Sequence, residues 1–355
     1  MTEIWNFLIV KPFSWLLSVF NSFLGNYGLA IILFAIVAKA ALLYFSARGK
    51  RSMLQTQRLQ PKIKELEKKY QNDRQQFQIA TQQLYKSEGV SMMGGCLWSL
   101  LPFPILLALY SAVRSPFEAI MGITKEHFGL IHGKVIEAGG QLAPYTEQMV
   151  TGNIYYQLDL SNAMHPLFDK VQVAVGEIGS RLVDINYNFL GLNLAVQPTL
   201  DFNPYLLIPL LSGLTAFFSM RLSMKMTAKV TGSTQQQPGQ GKMMMMMMPL
   251  LSVYFGFIMP SLLGLYWIAN NLLGMLQDYF LTKYYMKKFA EDDARKAELE
   301  SRRKAAEAAM KQELRERRAA SIEEKKNKRK PGQTVYKMTK NPAPKKETSE
   351  ESNPE

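Results

Sequence analysis

The chain has 355 residues, 42 Lys plus Arg against 29 Asp plus Glu, and a formal net charge of +13. The charge is unevenly spread: residues 283–355 carry 21 basic and 14 acidic side chains, whereas 89–113, 202–220 and 243–277 carry none and 12–47 carries one. Windows of this length match the roughly 20 apolar residues that cross a bilayer as a helix, which excludes a soluble single-core globule, and the lone Cys96 excludes an intramolecular disulfide framework.

Residues 1–26 contain an apolar stretch, 5–24, in which Trp5, Leu8, Ile9, Phe13, Leu16, Phe20 and Phe23 recur at spacings of three and four. Asn6, Lys11, Ser14, Ser18 and Asn21 interrupt the other faces, a pattern that predicts an amphipathic helix lying in the outer interface. The alternative is a sixth span, which would reverse the parity of the chain. Glu3 and the lack of a basic n-region argue against a cleaved signal peptide.

The first clear span is 27–46, closed by Arg48, Lys50 and Arg51. Residues 47–92 read as a helical hairpin: Leu59, Ile63, Leu66 and Tyr70 line one helix, Asn72 and Asp73 make the turn, and Phe77, Ala80 and Leu84 line the return. Further spans are expected at 93–113 and 203–220. The uncharged window 243–277 is too long for one untilted crossing, so a turn at Pro260 and Ser261 divides it into spans 243–259 and 261–282.

Positive charge is retained on the cytoplasmic side of a membrane. The 47–92 segment holds 10 basic and 4 acidic residues, and 221–242 holds Arg221, Lys225, Lys229 and Lys242 without an acid. The 114–202 segment holds 5 basic and 9 acidic residues, so it is expected outside. The expected architecture is therefore an all-α integral membrane protein. It has a five-helix core, a cytoplasmic hairpin, an outer amphipathic helix, an outside N-terminus and a cytoplasmic tail at 283–355.

Lys39 is the ionisable group read as lying well inside a span, about 10 Å from its cytoplasmic end at 1.5 Å per residue. A Lys stem of about 6 Å does not cover that depth by snorkelling alone. The competing reading is a watery cavity inside the bundle, open to the cytoplasm, since intramembrane charges generally face a bundle interior or water. Ser99, Thr215, Asn270 and Gln277 are candidate polar groups along such a groove, although interhelical hydrogen bonding is their plainer role.

Within 283–355, residues 290–326 predict a long exposed helix followed by a disordered end. Arg302, Arg303, Lys304, Arg317, Arg318, Lys328, Arg329 and Lys330 are candidate contacts with anionic lipid or ribosomal phosphate. No catalytic motif occurs, so an enzyme is not expected, nor is a cofactor or a metal. His127, His132 and His165 all fall in 114–202 and read as dispersed surface residues.

Several segments, in order and at compatible spacing, resemble the YidC-type membrane protein insertases. They are MLQTQRLQPKIKELEKKYQND with LYKSEGV, MMGGCLWSLLPFPILLALY, FLGLNL at 189–194, YLLIPLLSGLTAFFSMRLS, and MPLLSVYFGFIMPSLLGLYWIANNLL. The resemblance covers about residues 5–285 except much of the outer loop. It implies that Lys39 stands where the family carries a positive groove residue, usually Arg. It also implies a place in a bacterial plasma membrane, nascent membrane proteins as substrates, with the translating ribosome and the Sec translocase as partners, no DNA, and no nucleotide hydrolysis. A solute or ion transporter using Lys39 as coupling charge is the competing class, and a tether with anchoring spans is a third.

Overall fold

The computed structural model describes residues 5–91, 103–231 and 240–327. The described residues are predominantly helical, with one two-residue antiparallel ladder, β1 (Asn188–Phe189) against β2 (Leu192–Asn193). The chain divides into two compact units, Met1–Phe289 and Ala290–Glu355.

In the first unit a π-helical turn, Asn6–Val10, runs into α1 (Lys11–Leu24). Gly25 ends it with φ +62°, the left-handed cap that glycine adopts without steric cost. The buried face of this region is Val10, Ser14, Leu17 and Asn21, while Phe7, Leu8, Trp15 and Phe23 stand exposed. Ser14 and Asn21, taken from the sequence as interruptions of other faces, therefore face inward. Asn21 has a reason to do so: its Nδ2 donates to the Asp184 carbonyl at 2.8 Å.

Asn26 then caps α2 (Tyr27–Ala41) by accepting from the Leu29 amide at 3.1 Å. Tyr27, Ala30, Ile31, Phe34 and Ala35 bury one face of α2 in the core. The sequence predicts one helix over 27–46, but the chain breaks at Leu42 and resumes as α3 (Leu43–Arg58), with a bend of 60° between Tyr27–Ala41 and the run Leu43–Lys69. Neither Pro nor Gly marks this break, so composition offers no cue. The Leu42 amide reaches both the Ala38 and Ala40 carbonyls, which tightens the last turn of α2.

Beyond α3, α4 (Gln60–Lys69) and α5 (Arg74–Ser87) form a hairpin around a small cluster of Leu59, Ile63 and Tyr85. The Asp73 carboxylate caps α5 by accepting from the Gln76 amide at 2.9 Å. Lys62 and Glu88 pair across the open end. The Arg58 guanidinium stacks over Phe289, 5.0 Å from its ring centroid.

The expected span 93–113 lies partly outside the described residues; its visible part is α6 (Phe103–Arg114). Residues 116–202 are compact rather than an open loop. Short helices, including α7 (Phe128–Glu137) and α8 (Tyr156–Met164), bury Phe117, Phe128, Ile131, Tyr156, Leu158 and Tyr187. This core is continuous with that of α1, α2 and α6.

Three longer helices follow: α9 (Leu207–Thr231), α10 (Gln240–Ile258) and α11 (Ser261–Asn327). A Cβ on Gly213 would overlap Val253, one on Gly264 would overlap Ile208, and one on Gly256 would lie 2.7 Å from Pro209 Cα. The absence of side chains thus lets these backbones approach, the role small residues play between helices in lipid. By length and composition, Asn6–Leu24 and Pro204–Met226 can each cross a membrane, and the bent pair Tyr27–Ala41 plus Leu43–Lys69 counts as a third such segment. Pro104–Arg114 and Pro249–Ile258 are shorter apolar helices.

One end of this bundle is stitched together by backbone. The Tyr27 amide donates to Asn186, and the Ser261 and Leu262 amides donate to the Val196 and Leu194 carbonyls at 3.0 and 2.9 Å. In the second unit the residues of α11 from Ala290 to Lys325 are exposed, except the partly covered Asp292.

Candidate functional site

Lys39 sits in the last turn of α2, three residues before the break at Leu42. A cation there is favoured by the partial negative charge of the unsatisfied carbonyls at a helix C-terminus. It is half-buried and lines a cavity of about 440 Å³ between α2, α3, α9 and α11. Most lining residues carry polar groups: Ser46 and Lys50 from α3, Ser219 and Ser223 from α9, and Asn270, Asn271, Gln277 and Asp278 from α11. Gly274 supplies the space for the ammonium, since a Cβ there would come within 3.3 Å of Lys39 Nζ.

A second cation shares the cavity. Lys50, with 6 % of its side chain exposed, places Nζ 2.5 Å from Asp278 Oδ1, whose side chain is 29 % exposed. Asp278 also acts electrostatically on Lys39. Two ammonium groups and one carboxylate therefore line a single polar chamber, for a formal sum of +1. The sequence reading overlooked this pair, because Lys50 belongs to the basic run after the first span and Asp278 is the first charge beyond an uncharged window. A signal was present for Asp278, which stands one turn beyond Gly274 on the same helix, but the break at Leu42 separates Lys39 from Lys50.

Of the polar groups selected from sequence, Asn270 and Gln277 line the Lys39 cavity. Gln277 Nε2 is buried without a hydrogen-bond partner, a donor aimed at nothing in the protein. Thr215 lines a different cavity of about 720 Å³, with Phe218, Arg221 and Lys225. Its hydroxyl bonds to the Leu211 and Ser212 carbonyls and accepts from Asn271 Nδ2 at 3.3 Å, so it joins α9 to α11. Ser99 lies outside the described residues.

In the second unit Arg302, Lys304 and Arg317 pair with Glu298, Glu300 and Glu313 at one-turn spacing, and Arg303 and Arg318 are exposed. Such exposed pairs are worth about 0.3–0.5 kcal/mol and hold the side chains only loosely. Lys328, Arg329 and Lys330 lie outside the described residues.

The histidines need a correction. His132 is 2 % exposed, not a surface residue: it stacks on Tyr156, bonds to the Tyr156 hydroxyl at 3.0 Å and to the Ala143 carbonyl at 2.8 Å. The apolar periodicity of α7, with Phe128, Ile131 and Val135, was the cue that its neighbour turns inward. His165 pairs with Asp184 at 2.6 Å at the surface. Among the described residues no three His, Cys, Asp or Glu side chains group as metal ligands.

Comparison with known proteins gives a consistent family. Residues 19–288 match the model of the 60Kd inner membrane protein family. The membrane protein insertase YidC of Fusobacterium nucleatum is 26% identical over 283 residues, covering 80% of this chain and 98% of that protein. The insertase YidC of Methylococcus capsulatus is 27% identical over 283 residues, and that of Vibrio cholerae 27% over 284 residues; each alignment covers 80% of this chain. The chain spans only 38% of the length of each of these two relatives.

Proposed function

Because the chain belongs to the 60Kd inner membrane protein family, that of the YidC-type membrane protein insertases, we propose that it moves nascent membrane proteins from the cytoplasm into the bilayer through the Lys39 cavity. The observation that carries this reading is a half-buried ammonium in a chamber lined by Asn270 and Gln277, beside lipid-compatible helices. In this reading the polar or acidic leader of a substrate enters the chamber, where Lys39 attracts it, while the following apolar segment passes directly into lipid. A protein dipole and a fixed cation replace part of the leader's hydration, so the barrier to moving a charged segment towards the bilayer falls without nucleotide. Lys39 acts as a point charge; it lacks the guanidinium fork that grips a carboxylate with two parallel hydrogen bonds.

The accompanying topology is five spans: 27–46, 93–113, 203–220, 243–259 and 261–282. The 47–92 hairpin, the 221–242 segment and the tail then face the cytoplasm, and 114–202 faces outward, as the basic residue distribution favours. Residues 5–24 form the outer interfacial helix in this arrangement. Arg302, Arg303, Lys304, Arg317 and Arg318 suit contact with ribosomal phosphate or anionic lipid, and in this reading the chain acts alone or with the Sec translocase.

The test is reconstitution: protein in liposomes is offered a short single-span substrate with an acidic leader, without nucleotide. Insertion above protein-free liposomes is expected. Background insertion together with solute flux would replace this reading with a transporter.

A further inference from the structure

Lys50 is a buried cation in a membrane protein, and burying a charge is costly unless it is paired. Its partner, Asp278, reaches it from α11 across the same chamber that holds Lys39. The carboxylate is 29 % exposed while the ammonium it holds is 6 % exposed, so Asp278 faces both Lys50 and the cavity space. Chemically, Asp278 is what a substrate's acidic leader would present: a carboxylate lining the cavity that holds Lys39. We infer that Asp278 is a specificity-determining residue, an internal competitor that sets how strongly the chamber prefers acidic leaders over neutral ones.

This inference rests on the proposed function, and it deepens it. With Asp278 ionised the two ammonium groups and one carboxylate sum to +1, and a leader carboxylate must outcompete a covalently tethered one. A neutral leader gains nothing from the cations and is indifferent to Asp278. Selectivity therefore depends on the formal charge of the Lys39, Lys50 and Asp278 set rather than on Lys39 alone, since complementary charge mainly tunes specificity and encounter.

The experiment measures, in liposomes, the ratio of insertion for two single-span substrates that differ only in Asp against Asn at two leader positions. Four proteins are compared: the unmodified chain, Asp278→Asn (+2), Lys50→Gln (0) and the double variant Lys50→Gln/Asp278→Asn (+1). The ratio is expected to rise by roughly tenfold in Asp278→Asn, the low end of couplings measured for close charges across interfaces, and to fall in Lys50→Gln. In the double variant the ratio returns to that of the unmodified chain even if absolute yield drops, and high salt compresses all four values. If Asp278→Asn does not fold, the comparison of the other three decides. A ratio that does not follow formal charge, including equal losses for both substrates, overturns the role of Asp278. Failure of the unmodified chain to exceed protein-free liposomes overturns the proposed function instead.

Discussion

Gly274 lies against Lys39 so closely that a Cβ on it would stand 3.3 Å from the ammonium nitrogen. The glycine therefore leaves room for the charge where it rests, and the longer side chain of Gly274→Leu should displace it. That variant is expected to resemble Lys39→Ala, lowering insertion of substrates with acidic leaders while sparing neutral ones. Lys39→Arg is expected to preserve insertion, because the charge rather than its fork is used. Liposome insertion of paired acidic and neutral substrates checks this; equal activity of Lys39→Ala and the unmodified chain removes Lys39 from the mechanism.

Close approach of α9 and α10 at Gly213 predicts a stability effect. Gly213→Val would drive two branched methyls into Val253, and overpacking of this kind costs about 1–3 kcal/mol. The thermal midpoint in detergent should fall, whereas Gly133→Ala, inside α7 with open space around its backbone, should leave it unchanged or slightly raised. Equal shifts for both would show that helix contact is not the cause.

Tyr187, 1 % exposed, donates its hydroxyl to Ser161 Oγ at 3.2 Å, and burial holds its phenol well above the ordinary range, with nearby Asp184 adding to the shift. An unfolded Tyr ionises near pH 10. The stability conferred by the neutral buried phenol is therefore complete below about pH 10 and lost progressively above it, as the unfolded state releases its proton first. Tyrosinate absorbance should rise together with loss of helicity, and Tyr187→Phe should make stability above that pH less steep. Ionisation of this phenol at its ordinary pH with the fold intact would contradict the assignment.

The basic tail yields a separable prediction. Removing residues 290–355 should abolish co-sedimentation with ribosomes, and binding by the full chain should weaken steadily across a salt series, because phosphate contacts release counterions. Retention of binding after truncation would move the contact to the 47–92 hairpin. Partition of the full chain onto anionic vesicles with no ribosome binding would assign the tail to lipid.

Much of the helical framework was legible because its causes are local. Uncharged windows, the Asn72 and Asp73 turn and the Pro260 and Ser261 break are properties of short stretches, and the family resemblance reinforced them. Long-range arrangements were not legible. The 60° bend at Leu42 has no Pro or Gly, and the partners of Asn21 and His132 come from segments far away in sequence or from a loop with no periodicity. For the site, Lys39 stood out as a lone charge, yet Lys50 and Asp278 were hidden by treating hydropathy windows as boundaries. The side chains of residues just outside a window can still reach into the chamber that the window encloses.

The hydrogen bonds that the Ser261 and Leu262 amides donate to the Val196 and Leu194 carbonyls join the α10–α11 turn to the segment that leads into α9. Thirteen residues farther along α11, about 20 Å away, lies Gly274 beside Lys39. The Asn271 bridge to Thr215 and the Lys50–Asp278 pair fasten α11 again near and just past that height, so the helix is tethered at three levels rather than at its tip alone.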